Sequence, residues 1–161
     1  MKESLVVAAG CFWGVEELIR KVDGVLDTEV GYTGGKTENP TYETVKTGST
    51  GHAESIRITF DSAKISRADL LQLFFKLHDP TTRNRQGNDV GSQYRSAIFV
   101  SNAEEESVAR ASIEEALRSG RWSRPVVTTI EPLKTFYSAE AYHQNYLQKN
   151  PGGYTCHFWR E

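Results

Sequence analysis

Long apolar runs, an excess of charge of one sign and abundant cysteine are all missing from this sequence. No apolar stretch approaches the about 18 residues of a membrane-spanning helix, and the run at 5–9 is too short for a signal-peptide core. The formal net charge is −2, which indicates no broad electrostatic attraction to nucleic acid or to a membrane surface. We therefore expect a cytoplasmic protein that binds neither nucleic acid nor membrane.

Cysteine is limited to Cys11 and Cys156. In a reducing compartment we do not expect these two thiols to form a permanent structural bridge. Their presence points instead to transient redox chemistry, to a metal site, or to no chemistry at all.

Two common ligand-binding patterns are incomplete. Gly-Gly-Lys-Thr at 34–37 suggests a phosphate-binding loop, but Val30 stands where the upstream glycine of that motif is required. A metal site would have to combine Cys156 with some of the four histidines, and no pair among them has zinc-like C-x-x-C or H-x-x-x-H spacing. We expect no metal and no bound cofactor.

The chain of 161 residues is expected to form one domain that covers 1–161. Predicted strands and helices interleave without a regular βα repeat, which favours an α+β sandwich with a mixed sheet. The predicted strands are 5–9, 25–32, 55–60, 96–100 and 126–130. The predicted helices run from near 15 to near 24, from the cap at Ser66 to 78–80, from the cap at Asn102 to about 119, and from 138 to 148.

Three long segments carry no clear periodicity. Residues 43–51 are predicted to be irregular, and the polar loop at 81–95 is long enough to be functional or mobile. The C-terminal segment 150–161 has a loop-like composition. Gly152 and Gly153 could form a hinge there that brings Cys156 back onto the body of the protein.

Cys11 lies where the first predicted strand ends and the first helix begins. Unpaired backbone N–H groups and the positive end of the helix dipole favour a negative charge at such a place, so a thiol there ionises more readily. Phe12 and Trp13 follow directly and could form a pocket wall for a thioether-like group. A buried structural cysteine is the alternative interpretation of the same position.

Cys156 is the natural partner for a two-cysteine redox cycle. In that hypothesis Cys11 attacks a substrate, and Cys156 resolves the oxidised product from a movable tail. The residues alone leave open that Cys156 is a chance cysteine in a tail anchored by aromatic side chains.

Glu54 is the best candidate for an acid. It stands at the entrance of the strand 55–60, beside Gly51 and His52. Burial there would raise its pKa and keep the carboxyl protonated as a proton donor. A solvated charge at the end of a strand is the alternative.

Five ordered segments resemble the A-type peptide methionine sulfoxide reductases. They are Gly-Cys-Phe-Trp-Gly at 10–14, Gly-Tyr-Thr-Gly-Gly at 31–35, Asn-Pro-Thr-Tyr at 39–42, Gly-His-Ala-Glu at 51–54 and Gly-Asn-Asp-Val-Gly-Ser-Gln-Tyr-Arg-Ser at 87–96. Together they span most of the chain. The resemblance implies a two-layer α/β sandwich, a ferredoxin-like roll, with a long irregular C-terminal tail.

The same resemblance implies a role for each matching side chain. Cys11 would be the nucleophile, Glu54 the proton donor, and Cys156 the resolving thiol. The residues that would bind substrate are Phe12 and Trp13 around the S-methyl group and Tyr42, Asp89 and Tyr94 on its polar side. Thr155 separates Tyr154 from Cys156, and no third cysteine follows, so a single resolving cysteine is expected.

The activity implied by the resemblance is thiol-dependent reduction of methionine S-sulfoxide, free or in oxidised proteins. A sulfenic acid would form on Cys11 and condense with Cys156 to an intramolecular disulfide. Thioredoxin, or dithiothreitol in vitro, would then reduce that disulfide. We expect a monomeric peptide-methionine (S)-S-oxide reductase that repairs proteins under oxidative stress.

Two other classes of function are compatible with parts of the pattern. A methionine-binding or redox-sensing module would use the aromatic pocket and the two thiols without turnover. A cysteine hydrolase would use Cys11 with His143 or His52, and would need that histidine to be held against the thiol. The sequence supplies no evident partner to orient either histidine.

Overall fold

The apolar run near the N-terminus forms a strand that is buried on both faces. The structure is a computed structural model that describes residues 1–155 and 157–160; Cys156 and Glu161 lie outside the described residues. In the first strand, Leu5 and Val7 belong to the larger apolar cluster, whereas Val6 and Ala8 belong to a smaller cluster that Leu133 covers on the other face. Burial on both faces therefore explains the unbroken apolar run.

A mixed six-stranded sheet organises the fold. The strands are β1 Lys2–Ala9, β2 Val25–Thr33, β3 Ala53–Asp61, β4 Arg85–Gln86, β5 Asp89–Val90, β6 Ser96–Val100, β7 Thr129–Pro132 and β8 Tyr137–Ser138. The order in the main sheet is β7-β6-β1-β3-β2-β8, and β4 pairs with β5 as a separate hairpin. β6 and β7 are parallel, and the other neighbours in the main sheet are antiparallel.

Helices pack on the face of the sheet that carries the larger cluster. Across residues 1–155 and 157–160 the α-helices are α1 Phe12–Ile19, α2 Tyr42–Val45, α3 Arg67–Leu77, α4 Ala103–Arg118 and α5 Tyr146–Lys149. Short 3-10 turns cover Ser92–Tyr94 and Ala141–His143. None of the helices in these ranges has the length and apolar character needed to span a bilayer. The predicted α+β fold with a mixed sheet is confirmed.

The helix starts at Ser66 and Asn102 are as predicted. Ser66 Oγ accepts the Asp69 N–H at 3.0 Å, and Asn102 Oδ1 accepts the Glu105 N–H at 2.8 Å. Each bond satisfies one of the backbone donors that the first turn of a helix leaves unpaired.

The two-residue period of β3 determines where Glu54 points. Glu54, Ile56, Ile58 and Phe60 share one face of the strand, and the three apolar side chains lie in the larger cluster under the helices. Glu54 is paired in register with Tyr32 of β2. The carboxyl therefore continues an apolar row into the interior beside α1.

The prediction of one continuous helix over 138–148 is wrong. β8, a 3-10 turn and α5 occupy this region, and Asn145 adopts a left-handed conformation with φ of 54°. Gln144 explains the break, because its side-chain amide accepts the Val30 N–H and donates to the Val30 carbonyl, both at 2.9 Å. These bonds hold the segment against β2, and a continuous helix could not make them.

Two other predicted elements also need correction. The segment 43–51 was predicted to be irregular, but α2 begins in a capping box in which Thr41 and Thr44 bond each other's backbone N–H groups. The strand predicted at 126–130 is shifted to Thr129–Pro132. The shift follows from Val127, whose N–H bonds the Pro80 carbonyl at 2.8 Å outside the sheet.

Candidate active site

Cys11 occupies the N-cap position of α1, directly after β1 and a tight turn. The turn depends on Gly10, which has a φ of +93° and lies so close to Gln86 that a Cβ would be 2.6 Å from the Gln86 Cβ. Cys11 is 8% exposed. The positive end of α1 thus lies at a largely buried sulfur and favours its anionic form.

Glu54 is bonded to the same helix end. Its Oε1 accepts the Phe12 N–H at 3.2 Å, so the carboxyl takes the place of a capping side chain. The residue is 1% exposed, and burial raises its pKa to about 8, against a smaller lowering effect of the Phe12 N–H. The carboxyl next to Cys11 is therefore mainly protonated at neutral pH and can donate a proton.

Two half-buried phenols lie within the electrostatic reach of this pair. Burial, together with negative charge on Glu54, Cys11 and Asp89, raises the pKa of Tyr42 to about 12. The pKa of Tyr94 is raised by burial and by the same three groups. Both phenols therefore keep their protons and can act as hydrogen-bond donors.

Asp89 closes the polar side of the site from the β4–β5 hairpin. Burial raises its pKa, and a hydrogen bond from the Tyr154 hydroxyl at 3.3 Å opposes that effect. Its charge acts on Tyr42, Tyr94 and Glu54, which places it with the other predicted polar groups.

Arg95 holds two of the loops that carry these groups. Its guanidinium makes a bidentate ion pair with Glu131, with both N–O distances at 2.9 Å. Nη1 also donates to the Gly51 and Ser92 carbonyls at 3.0 Å. The strand entrance before Glu54 and the turn before Tyr94 are thereby tied to one side chain.

The aromatic side of the site is built around His143. Trp13 Nε1 donates to His143 Nδ1 at 2.9 Å, and the Trp13 ring stacks on Tyr146 with 3.8 Å between centroids. The Phe12 and Tyr42 rings lie 5.3 and 4.5 Å from the imidazole. These contacts fix the two rings that the sequence predicted as a thioether pocket.

Glu140 connects the aromatic and polar sides. Its two carboxylate oxygens accept the Tyr32 hydroxyl and the Tyr42 N–H, each at 2.9 Å. Sequence reasoning missed Glu140, and it considered His143 only as a metal ligand or a hydrolytic base. Both contact partners about 100 or more positions away in the chain, and no local motif carries that signal.

Cys156 lies outside the described residues, and its predicted role stays a prediction. The residues on either side of it are described. Thr155 and His157 both lie against Gly14 in α1, and His157 Nε2 lies 2.6 Å from the Ala9 carbonyl.

The histidines are engaged in ways that do not suit the metal or hydrolase alternatives. His52 bonds the Gly35 N–H and the Thr37 carbonyl, and His78 bonds the Phe74 carbonyl and Ser96 Oγ. His143 Nδ1 already accepts the Trp13 N–H, so the neutral ring has no second lone pair to act as a base. Within the described ranges, no group of three or more His, Cys, Asp or Glu side chains could hold a metal ion.

Comparison with known proteins gives consistent matches over the whole chain. The sequence profile of the family described as peptide methionine sulfoxide reductase matches residues 3–161. The peptide methionine sulfoxide reductase MsrA of Methanoculleus marisnigri is 54% identical over 98% of this chain and 96% of its own length. The MsrA of Methanothermobacter thermautotrophicus is 56% identical over 92% of this chain and 88% of its own.

Solved structures give the same result. Mxr1 from Saccharomyces cerevisiae in reduced form has a TM-score of 0.91 at 40% identity, and the match covers 99% of this chain and 93% of that one. Methionine sulfoxide reductase A of Corynebacterium diphtheriae has a TM-score of 0.84 at 35% identity, over 96% of this chain and 78% of that one. Mxr1 in complex with Trx2 matches with a TM-score of 0.65 at 27% identity. The chain therefore belongs to the peptide methionine sulfoxide reductases, a family of oxidoreductases.

Proposed function

We propose that the protein is a peptide-methionine (S)-S-oxide reductase that acts through Cys11 and Glu54. The observation that carries this proposal is the Glu54 carboxyl, which is buried, bonded to the Phe12 N–H and largely protonated beside the Cys11 thiol. A protonated acid next to an activated thiol is what sulfoxide reduction requires, because the sulfoxide oxygen must gain a proton as the S–O bond breaks.

In the first half-reaction the Cys11 thiolate attacks the sulfoxide sulfur. Glu54 protonates the sulfoxide oxygen, and the Tyr42 and Tyr94 hydroxyls stabilise it as charge develops there. The S–O bond breaks as a second proton lets the oxygen leave as water, and a bond remains between the Cys11 sulfur and the substrate sulfur. Water then attacks the Cys11 sulfur, which breaks that S–S bond, releases methionine with two added electrons and one proton to solvent, and leaves Cys11 as the sulfenic acid. Asp89 belongs to the polar side of this site.

The second half-reaction returns Cys11 to the thiol. The Cys156 thiol attacks the sulfenic sulfur, which forms a Cys11–Cys156 disulfide and releases the hydroxyl oxygen as water. A dithiol then reduces the disulfide with two electrons. The structure of Mxr1 in complex with Trx2 supports thioredoxin as that dithiol. Dithiothreitol would replace it in vitro, and no bound cofactor takes part.

Selection of a single epimer follows from having two different sides to the site, and the family resemblance makes the S epimer the proposed one. Phe12 and Trp13 would hold the S-methyl group, while Glu54, Tyr42 and Tyr94 would bind the oxygen. A chiral sulfur fixed at both substituents presents its third substituent in one direction only, so one hand of the sulfoxide fits.

We extend the proposal to the cellular role. Free methionine sulfoxide and oxidised proteins are both proposed substrates, with protein repair under oxidative stress as the outcome. The family match over 3–161 supports a single catalytic domain. We further propose that this domain acts as a cytoplasmic monomer.

The finer fold assignment is also a proposal. The strands β1, β2, β3 and β6 alternate with α1 and α3 along the chain, and they stand in the antiparallel order β6-β1-β3-β2. This order supports a two-layer sandwich of the ferredoxin-like type. The segment from 150 onward would form its irregular C-terminal tail.

The test is turnover of the two separated methionine sulfoxide epimers by the wild type, Cys11→Ser and Cys156→Ser. We expect consumption of the S epimer alone and no activity in Cys11→Ser. Cys156→Ser should work with dithiothreitol but fail with thioredoxin. If the wild type consumed neither epimer, the reductase proposal would be wrong, and a binding or sensing module would be the better interpretation.

A further inference from the structure

The C-terminal tail is seated on the helix end that carries Cys11. Tyr154 donates to Asp89 Oδ2 at 3.3 Å, on the polar side of the site. Thr155 and His157 lie against Gly14, one turn into α1. Contacts on both sides of position 156 therefore hold the tail to the first helical turn.

Gly14 makes this seating possible. Its φ is not in the left-handed region, so the backbone itself does not require glycine there. A Cβ at this position would overlap Thr155 Oγ1 and His157 Nδ1, and would lie 3.1 Å from the His157 Cβ. The reason for a glycine in the middle of a helix is thus the close approach of the tail.

His157 fastens the tail from the other direction. It is buried, and its Nε2 lies 2.6 Å from the Ala9 carbonyl, two residues before Cys11. Because a carbonyl can only accept, Nε2 must carry the proton and donate it. Burial lowers the pKa of His157 to about 4, so the ring remains neutral under physiological conditions.

We propose that Gly14 and His157 form a tail anchor that controls the rate of disulfide formation and takes no part in methionine formation. The tail anchor is defined by the contacts of Gly14 with Thr155 and His157 and by the bond from His157 to Ala9. Gly14 and His157 are positioning residues in this role. The inference rests on the proposed function, in which Cys156 resolves the Cys11 sulfenic acid.

The chain itself explains why such an anchor would matter. Cys156 is covalently joined to both Thr155 and His157, and its own position lies outside the described residues. Seating Thr155 and His157 on α1 keeps this part of the chain beside the helix end that carries Cys11, and a thiol joined to a seated chain acts at a higher effective concentration than one on an unattached tail. The step it serves is the balanced condensation of thiol and sulfenic acid to disulfide and water.

Four variants separate the anchor from the catalytic site. Gly14→Ala adds the methyl group that the tail excludes, and alanine is otherwise the better helix former there. His157→Phe keeps a ring but removes the donor, whereas His157→Gln keeps an N–H at a similar reach. Phe158→Leu is the matched control, because this side chain of the same tail is 58% exposed and makes none of the anchor contacts.

The measurement is a single turnover of methionine S-sulfoxide without reductant, with quenched samples analysed for methionine and for remaining thiols. A sulfenic-acid reagent such as dimedone reports the intermediate. We expect Gly14→Ala and His157→Phe to form methionine at the wild-type rate but to lose the second thiol roughly 10- to 100-fold more slowly. His157→Gln should recover much of that rate, and Phe158→Leu should match the wild type.

Two results would overturn the tail anchor. One is disulfide formation within about twofold of wild type in both Gly14→Ala and His157→Phe, a change too small for a lost positioning contact. The other is an equal fall of methionine and disulfide formation, which would place these residues in the first half-reaction. Failure of the proposed function looks different, because then the wild type would form no methionine, or Cys156→Ser would turn over normally with thioredoxin.

Discussion

Two buried glutamates, Glu16 within α1 and Glu54 bonded to its N-terminal end, differ in what surrounds them. Glu16 and Glu54 are each 1% exposed, and burial raises the pKa of both. Glu16 accepts the Thr28 hydroxyl and the Asn145 N–H, both at 2.7 Å. Glu54 accepts the Phe12 N–H at 3.2 Å, and it lies within electrostatic reach of the Asp89 carboxylate and of the two neutral phenols.

The comparison separates a structural carboxyl from the one that we propose to be reactive. Glu16 uses each of its oxygens to fasten a different segment to the helix, so its hydrogen bonds serve β2 and the turn before α5. Glu54 instead faces the sulfur and the donors of the candidate site. Burial and a raised pKa are common to both residues, and only the neighbours distinguish a catalytic acid from a fastening group.

The largest expected effect is on the chemistry. Glu54→Gln removes the transferable proton while keeping an oxygen that can accept the Phe12 N–H. We expect single-turnover methionine formation to slow by about 10²- to 10⁴-fold, the usual contribution of a positioned general acid. Glu16→Gln is the matched control and should remain within a few-fold of wild type. Equal losses in the two variants would remove the distinction between them.

In contrast to the rate of methionine formation, the stability of the fold should depend on Glu16. Glu16→Ala leaves the Asn145 N–H and the Thr28 hydroxyl without their acceptor in the interior, and should lower the free energy of unfolding by about 2–4 kcal/mol. Urea titration monitored by tryptophan fluorescence measures this change. A loss below about 0.5 kcal/mol, the range of ordinary surface substitutions, would show that Glu16 does not fasten these segments.

The free energy of unfolding should fall as the pH rises, because the buried Glu54 carboxyl then becomes ionised. Its pKa of about 8 in the folded protein lies above its ordinary value of 4.5, so folding takes up a proton between these pH values. The free energy of unfolding should therefore fall across this window by up to about 1.4 kcal/mol per pH unit. Glu54→Gln should remove that slope, so the variant gains stability relative to wild type toward pH 8.

An intermediate effect is expected from the two phenols. Tyr42→Phe and Tyr94→Phe each remove one donor to the sulfoxide oxygen, and each should slow methionine formation roughly 10-fold, with about 100-fold or more for the double variant. Quenched single turnover measures all three. The unchanged rate of either single variant would exclude that hydroxyl from the site.

The smallest effect on activity is expected at His143, which supports Trp13 on the aromatic side of the site. His143→Leu leaves the Trp13 indole N–H without its acceptor, and should lower kcat/KM by about 3- to 5-fold, mainly through KM. His143→Asn offers an amide oxygen near the position of Nδ1 and should recover much of the loss. An Asn variant as impaired as the Leu variant would indicate that shape, and not this hydrogen bond, is what His143 provides.

Local signals predicted much of the scaffold. The strand at 96–100 and the caps at Ser66 and Asn102 follow from alternation and capping chemistry that act over a few residues. The apolar row after Glu54 likewise indicates which face of β3 is buried. These features are determined by neighbours in the sequence, and the structure confirms them.

Local sequence patterns could not predict the elements that depend on contacts between residues far apart in the chain. The predicted helix at 138–148 is broken because Gln144 bonds β2 and the Asn145 N–H bonds Glu16, partners more than 100 positions away. Glu140 and the hydrogen bond of His143 to Trp13 belong to the same segment and were missed for the same reason. The candidate catalytic residues came from motifs, whereas the groups that position them came only from the structure.

The most direct test of the central claim is the pH dependence of single-turnover methionine formation in the wild type and Glu54→Gln. If Glu54 is the proton donor, the wild-type rate should fall above about pH 8, by about tenfold per pH unit, as the carboxyl ionises. The Glu54→Gln variant should be slow and show no such fall. A wild-type rate that stays level or rises through pH 9, or a variant that keeps the wild-type profile, would contradict the assignment of Glu54 as the acid.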